Sequence, residues 1–283
     1  MDFTFKHTHL HGREAQYLQL NDQGIPAVFF SANGFPLGTY SEFLKPLTTK
    51  YKLSCLSPRA CWPNIGQPAK QTNWEVHAED LIAFVDQHFD DAITAIGHSQ
   101  GATAIIMAAS KRPELFKDLI LVEPASVSKG LSLLVKTTPY AIKKQFQPFK
   151  SAETKQSTWP SAEAFFQNCR QNKAFRRIPD KVLRDYATFG LKENSKGSFD
   201  LTYSAQWEAS NYALAPNVWK YLKMIKHPIH IIAGKPSLFF DQKLRQKWPK
   251  LLQNVKLEEN TKFGHLYPLE AAEDCAQRIL NPA

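Results

Sequence analysis

Five residues in the middle of the chain, Gly97-His98-Ser99-Gln100-Gly101, constrain its fold more than any other feature. The run before them, Ala92-Ile-Thr-Ala-Ile96, is apolar and partly β-branched, as a buried strand is. The run after them, Ala102 to Lys111, is rich in small residues at helical spacing and stops at Pro113. G-x-S-x-G between a strand and a helix predicts a sharp turn that presents a serine at the end of a sheet. The two glycines remove Cβ atoms where strand and helix backbones crowd, which lets Ser99 take a disfavoured backbone conformation.

At 283 residues the chain is long enough for one large core carrying an insertion. Its four cysteines, Cys55, Cys61, Cys169 and Cys275, show neither CxxC nor zinc spacing and read as reduced thiols. The first residues lack the basic and apolar regions of a secretory leader, and no run approaches the length of a membrane span, so a cytoplasmic protein is expected. Positive charge is unevenly placed. Residues 125–226 hold 17 Lys/Arg against 7 Asp/Glu, whereas the remaining residues hold 18 against 19. Such a segment is either a solvated surface or an attractor of anionic substrates or a membrane surface. No nucleic-acid-binding module accompanies the charge, so nucleic acid is not expected as a partner.

Apolar runs predict strands at Phe3–His9, Ala15–Leu20, Ala27–Ser31, Tyr51–Leu56, Asp118–Glu123, Pro228–Ala233 and Val255–Glu259. Helical spacing fills 39–49, Trp74–His88, 238–249 and Leu266–Leu280 between and after them. Alternating strands and helices imply an α/β fold with a mostly parallel central sheet flanked by helices. Residues 125–226 break the rhythm with helices at 161–171 and 178–189. They read as a mainly helical, basic cap inserted into a core made of residues 1–124 and 227–283, over the sheet edge where such folds bind ligands.

These features together resemble the α/β-hydrolase superfamily, in its capped, serine-nucleophile branch, over nearly the whole chain. The residues that carry the resemblance are the elbow Gly97–Gly101, the loop Asn33-Gly34-Phe35-Pro36, Gly264-His265, and the cap-sized insertion after Glu123. The loop is similar to the HGFP element of that superfamily, with Asn33 in place of the histidine. The resemblance implies a nucleophile, Ser99, and a base, His265, on the loop between the last strand and the last helix. The backbone N–H groups of Gln100, by elbow geometry, and of Phe35 are the expected oxyanion donors. The acid is less plainly marked. Gly234-Lys-Pro-Ser237 puts serine where the superfamily's Gly-x-x-Asp has its carboxylate. Glu123, at the carboxyl end of a core strand, is the first candidate, Asp241 is the alternative acid, and a relay without a direct carboxylate is the third reading.

The expected activity is that of a carboxylic ester hydrolase acting through an acyl-enzyme on Ser99, with a small-molecule acyl substrate of small to medium, mostly apolar acyl group. Serine at the elbow argues against epoxide or haloalkane hydrolysis, because an alkyl-serine ether would be a dead end. Rival readings are a thioesterase on an acyl carrier, a lyase, and a non-catalytic ligand-binding protein on the same fold. No cofactor is expected. His7, His9 and His11 alternate along one strand face leading into a His11-Gly12 turn, with no acidic or cysteine partner expected nearby, so no metal is expected either. Cys61-Trp62 follows a core strand, where Trp62 serves either a pocket or the core. The sequence leaves acyl length and oligomeric state open.

Overall fold

Strand register decides where the chemistry of this chain collects. The computed structural model describes residues 3–235, 237 and 239–282. In chain order the first elements are β1 (Phe5–Leu10), β2 (Arg13–Gln19), β3 (Ile25–Phe30), α1 (Ser41–Leu47), β4 (Tyr51–Leu56), α2 (Glu75–His88), β5 (Ile93–His98), α3 (Gln100–Lys111) and β6 (Phe116–Val122). After the central segment come β10 (Ile229–Gly234), α11 (Gln242–Leu251), β11 (Val255–Asn260), α12 (Tyr267–Glu270) and α13 (Ala272–Leu280). The sheet has eight strands in the order β1-β2-β4-β3-β5-β6-β10-β11. β1 and β2 pair antiparallel, as do β2 and β4, and the other neighbours are parallel. Phe30 lies opposite Gly97, His98 opposite Val122, Ile232 opposite Val122, and Gly234 opposite Asn260. The residues that follow β3, β5, β6, β10 and β11 therefore emerge along one edge.

Both faces of the sheet are covered, which is why β5 is buried at every position and reads as a continuous apolar run. One layer is built from α2, α3, α11 and the short helix at Trp219–Leu222, with Leu81, Phe84, Ile105, Ile106, Leu222 and Trp248 in its core. The other holds Phe43, Leu44, Leu47, Cys275 and Ile279 from α1 and α13. Each such side chain contributes about 1.5–3 kcal/mol on burial.

Residues 125–226 contain α4 (Lys129–Thr137), α5 (Tyr140–Lys143), α6 (Phe149–Glu153), α7 (Ala162–Gln171), α8 (Asp180–Phe189), α9 (Ala205–Tyr212) and α10 (Trp219–Leu222). They also contain a small antiparallel sheet, in the order β7 (Thr158–Trp159), β9 (Phe199–Leu201), β8 (Leu191–Glu193). Strands of two or three residues carry no periodicity, so no strand was expected here. The expected helix over Leu266–Leu280 is corrected to two helices. Ala271 leaves the helical region (φ −148°, ψ 69°), although Glu-Ala-Ala-Glu contains no helix breaker. Tertiary contacts impose the break. The Glu270 carboxylate accepts the Gly264 N–H at 2.9 Å and the Tyr267 hydroxyl meets Asn260 Nδ2 at 2.8 Å. The expected helix over 238–249 begins on Leu238, outside the described residues. α11 starts at Gln242, behind Asp241, whose carboxylate accepts the Lys243 N–H at 2.7 Å as an N-cap.

Candidate active site

Ser99 sits between β5 and α3 at φ 52°, ψ −112°, a conformation disfavoured for any residue with a Cβ. Close packing holds it there. A Cβ on Gly101 would come within 2.0 Å of the Phe30 carbonyl, and one on Gly97 within 2.7 Å of the Ala102 nitrogen. The Ser99 N–H donates to the Val122 carbonyl at 2.9 Å, tying the elbow to β6. Glu123, the next residue after β6, is also left-handed (φ 49°) and is fully buried.

The loop after β11 brings His265 between them. Its Nε2 lies 2.9 Å from Ser99 Oγ and its Nδ1 lies 2.9 Å from Glu123 Oε2. The other Glu123 oxygen accepts the Gly234 N–H at 2.6 Å and Arg245 Nη2–H at 3.0 Å. Asp241 is not part of this cluster. It is exposed and spent on capping α11.

His98 supports the arrangement from below. Its Nε2–H donates to the His265 carbonyl at 2.8 Å, and its Nδ1 accepts from the Tyr40 hydroxyl at 2.7 Å. Burial, with the neighbouring His265 ring, drives the His98 pKa down to about 3, so the ring is neutral and one nitrogen is free to accept. The Phe239 ring also packs on His265, with ring centroids 4.5 Å apart.

The Asn33–Pro36 loop follows β3 at the same edge. The Gln100 N–H occupies the first position of α3, where no intrahelical acceptor exists and the helix end is electropositive. The Phe35 N–H reaches the Ala32 carbonyl only at 3.4 Å, a long contact that a stronger acceptor would displace. Asn33 ties the loop to α9. Its Nδ2–H donates to the Glu208 carbonyl at 3.1 Å, while its Oδ1 accepts from Tyr203 at 2.8 Å and from Asn211 Nδ2 at 2.9 Å. Gly34 stands at φ +84°, and a Cβ there would sit 2.9 Å from the Glu208 carboxyl carbon. Lys155 Nζ donates to Glu208 Oε2 at 2.8 Å and to the Tyr186 hydroxyl at 3.0 Å, and Tyr186 donates to the Gly34 carbonyl at 3.3 Å. Burial opposes the charge on Lys155, but Glu208 and Tyr186 outweigh it and its pKa is raised.

The sequence offered no signal for Arg245, Lys155 or Glu208. Each lies in a stretch where a charged residue reads as a solvated helix face or loop. Trp62 is buried and lines a cavity of about 620 Å³ with Ile65, Phe189 and Trp207, apart from Ser99 and His265. At the other end of the sheet, His11 lies in the expected turn at φ 52°, and the expectation of no acidic partner near these histidines is corrected by His7, whose Nδ1 lies 2.8 Å from Glu14 Oε1 across the antiparallel pair. Among the described residues no group of three or more His, Cys, Asp or Glu is placed to hold a metal. No helix among them is long and apolar enough to cross a membrane.

A family model described as alpha/beta hydrolase fold matches residues 27–272. No curated relative matches the chain. Among solved structures, E-2-(acetamidomethylene)succinate hydrolase superposes with a TM-score of 0.79 at 15% identity, covering 99% of this chain and 98% of that one. A thioesterase domain from the curacin biosynthetic pathway gives 0.71 at 17% identity, covering 99% and 100%. The peroxisomal alpha-beta-hydrolase Lpx1 of Saccharomyces cerevisiae gives 0.74 at 18%, covering 94% and 80%. At these identities the likeness is one of fold.

Proposed function

Since the chain belongs to the α/β-hydrolase family, and since its Ser99, His265 and Glu123 form an unbroken hydrogen-bonded chain, we propose that it is a serine hydrolase that cleaves a carboxylic ester through an acyl-enzyme. That chain carries the reading. A serine hydroxyl alone is a weak nucleophile, and it becomes competent when a base stands within hydrogen-bond reach and a third group orients the base. In the proposed reaction Ser99 Oγ attacks the carbonyl carbon while His265 Nε2 takes its proton. Glu123 Oε2 holds Nδ1–H and stabilises the imidazolium that forms. The oxyanion of the tetrahedral intermediate takes the N–H groups of Gln100 and Phe35, the latter in exchange for its long bond to the Ala32 carbonyl. His265 then returns its proton to the leaving alcohol. Water repeats the path to release the acid and restore Ser99.

The surroundings support a small to medium acyl group with a mostly apolar body. Phe35 packs against Tyr186 and Phe175, with ring centroids 5.2 and 6.1 Å apart, beside the oxyanion loop. The Lys155–Glu208 ion pair adds a polar boundary beside these rings, with Lys155 Nζ 5.8 Å from the centre of the Tyr186 ring. The same relay would cleave a thioester, and one of the similar folds is a thioesterase domain, so esters and thioesters are two arms of one test.

A fluorophosphonate probe is expected to label the protein and not its Ser99→Ala variant, because phosphonylation needs an activated serine. Esters and thioesters of graded acyl length then rank the substrates, with Ser99→Ala lowering turnover of the best one by about 10⁴-fold or more. An unlabelled wild-type protein, or a Ser99→Ala variant with near-native turnover, overturns the reading.

A further inference from the structure

Among the described residues, the outward face formed by α4 and α5 in the central segment has no covering partner. α4 runs Lys-Gly-Leu-Ser-Leu-Leu-Val-Lys-Thr, and not one of its nine residues is buried. Leu131, Leu133 and Leu134 on it, and Ile142 and Phe146 just beyond, are between 46% and 65% exposed. A soluble protein scatters exposed apolar side chains singly. Five large ones within residues 131–146 form a cluster of the kind that marks an interaction site.

The charge around this cluster identifies the occupant. Residues 124–152 contain five lysines and no Asp or Glu. Lys143 is turned inward, donating to Gln71 Oε1 and the Ala213 carbonyl at 2.8 and 2.9 Å. Lys129, Lys136, Lys144 and Lys150 are exposed, and among the described residues none of the four is ion-paired. The denser basic run at 170–184 is different. There Arg170 meets Asp180, Arg177 meets Glu270, Lys181 meets Glu42 and Arg184 meets Glu163, so much of its charge is spent within the protein.

We propose that the α4–α5 face docks this protein on an anionic lipid surface, with Leu133, Leu134, Ile142 and Phe146 entering the headgroup boundary and the four exposed lysines facing the phosphates. Apolar side chains flanked by lysines, with Glu153 at the end of α6 as the first acidic residue after Glu123, are the composition of an interfacial amphipathic segment. A second copy is the poorer occupant, because a two-fold interface would set the same lysines against each other. The docked segment also bears on the site. Through Tyr140, Phe149 and Ala152 it packs on Ala209, Tyr212 and Ala213 of α9 and its end. α9 is the helix whose Asn211 and Glu208 carbonyl hold the Asn33 loop.

The test is co-sedimentation of the whole protein with vesicles of phosphatidylcholine alone and of equal parts phosphatidylcholine and phosphatidylglycerol. Binding is expected on the mixed vesicles and to weaken with salt. Each of two variants is expected to lower the partition coefficient about tenfold or more: Leu133→Gln with Leu134→Gln and Phe146→Gln, and Lys129→Gln with Lys136→Gln, Lys144→Gln and Lys150→Gln. All seven side chains are exposed, so circular dichroism and melting of both variants should match wild type. Ser99→Ala protein should bind as wild type does, which separates this proposal from the hydrolytic one. No sedimentation with mixed vesicles, equal binding to neutral vesicles, or binding unchanged in both variants overturns it. So does a dimer in solution that the leucine variant dissociates when no vesicle binding is seen.

Discussion

Arg245 Nη2 lies 3.0 Å from Glu123 Oε1, and both side chains are buried, at 3% and 0% exposure. With the Gly234 N–H on the same oxygen at 2.6 Å, this leaves Oε2 alone facing His265. Arg245 also donates through Nε to the Phe240 carbonyl and through Nη1 to the Gly234 carbonyl, at 3.0 and 2.6 Å. The guanidinium therefore fixes the rotamer of the carboxylate as well as balancing its charge.

Arg245→Met keeps roughly the volume and removes the charge. It leaves a buried carboxylate with one hydrogen bond on Oε1, and the expected cost is about 3–5 kcal/mol of stability. Arg245→Lys retains the charge but loses the planar fork, so it should fall between Met and wild type. Urea unfolding of the three proteins checks the order, and a loss below about 1 kcal/mol for the methionine variant contradicts it.

Glu123 and Asp241 are separated by a pair of isosteric changes. Glu123→Gln keeps the shape but presents an amide to His265 Nδ1, and kcat should fall about 10³–10⁴-fold with little change in KM. Asp241→Asn exchanges one good N-cap for another, so activity should hold and stability should shift by a few tenths of a kcal/mol. Steady-state kinetics on the best ester decides, and the reverse ranking assigns the acid to Asp241.

The strands that place this site were legible because each is a buried run between turn signals. Tyr51–Leu56 was read to the residue, and Gly97–Gly101 marked the elbow by its G-x-S-x-G spacing between an apolar run and a small-residue helix. The acid was harder. Gly234-Lys-Pro-Ser237 lacks a carboxylate where one was sought, and the register that brings Ile232 opposite Val122 is invisible in a linear sequence. Arg245 was not legible at all. It sits in Gln-Lys-Leu-Arg-Gln-Lys-Trp, where Lys243, Arg245 and Lys247 look alike, and only the helix docking of Leu244 and Trp248 turns Arg245 inward. The small sheet β7-β9-β8 was missed because its strands are too short for periodicity.

Asn33 makes a prediction that a merely hydrophilic loop residue would not. Asp at this position can still accept from Tyr203 and Asn211 but cannot donate to the Glu208 carbonyl, and it brings a second negative charge toward the Glu208 carboxylate. Asn33→Asp should cost about 1–3 kcal/mol of stability. It should also lower kcat about 10–100-fold by shifting the Phe35 N–H. Asn33→Ser, which can still both donate and accept, should recover part of the loss. If Asn33→Asp lowers stability and leaves kcat intact, the bond network serves only to anchor α9 and does not position the Phe35 N–H.

His98 gives the protein an acid-sensitive core. Its pKa is pushed down to about 3 by burial and by the nearby His265 ring, against an ordinary 6.5. The groups it faces are the Tyr40 hydroxyl and the His265 carbonyl, and neither supplies a negative charge to hold a proton on it. The unfolded chain therefore binds a proton below pH 6.5 that the folded chain refuses until about pH 3. Stability from this residue is complete above pH 6.5 and falls as pH drops between those values, by about 2 kcal/mol at pH 5. His77, also buried, and the half-buried His230 are shifted in the same direction and steepen the slope. Urea midpoints measured from pH 7 to pH 5 should fall for wild type. They should fall less for His98→Gln, whose amide can donate to the His265 carbonyl and accept from Tyr40 without titrating. Parallel pH profiles for the two proteins would place the acid sensitivity in other histidines.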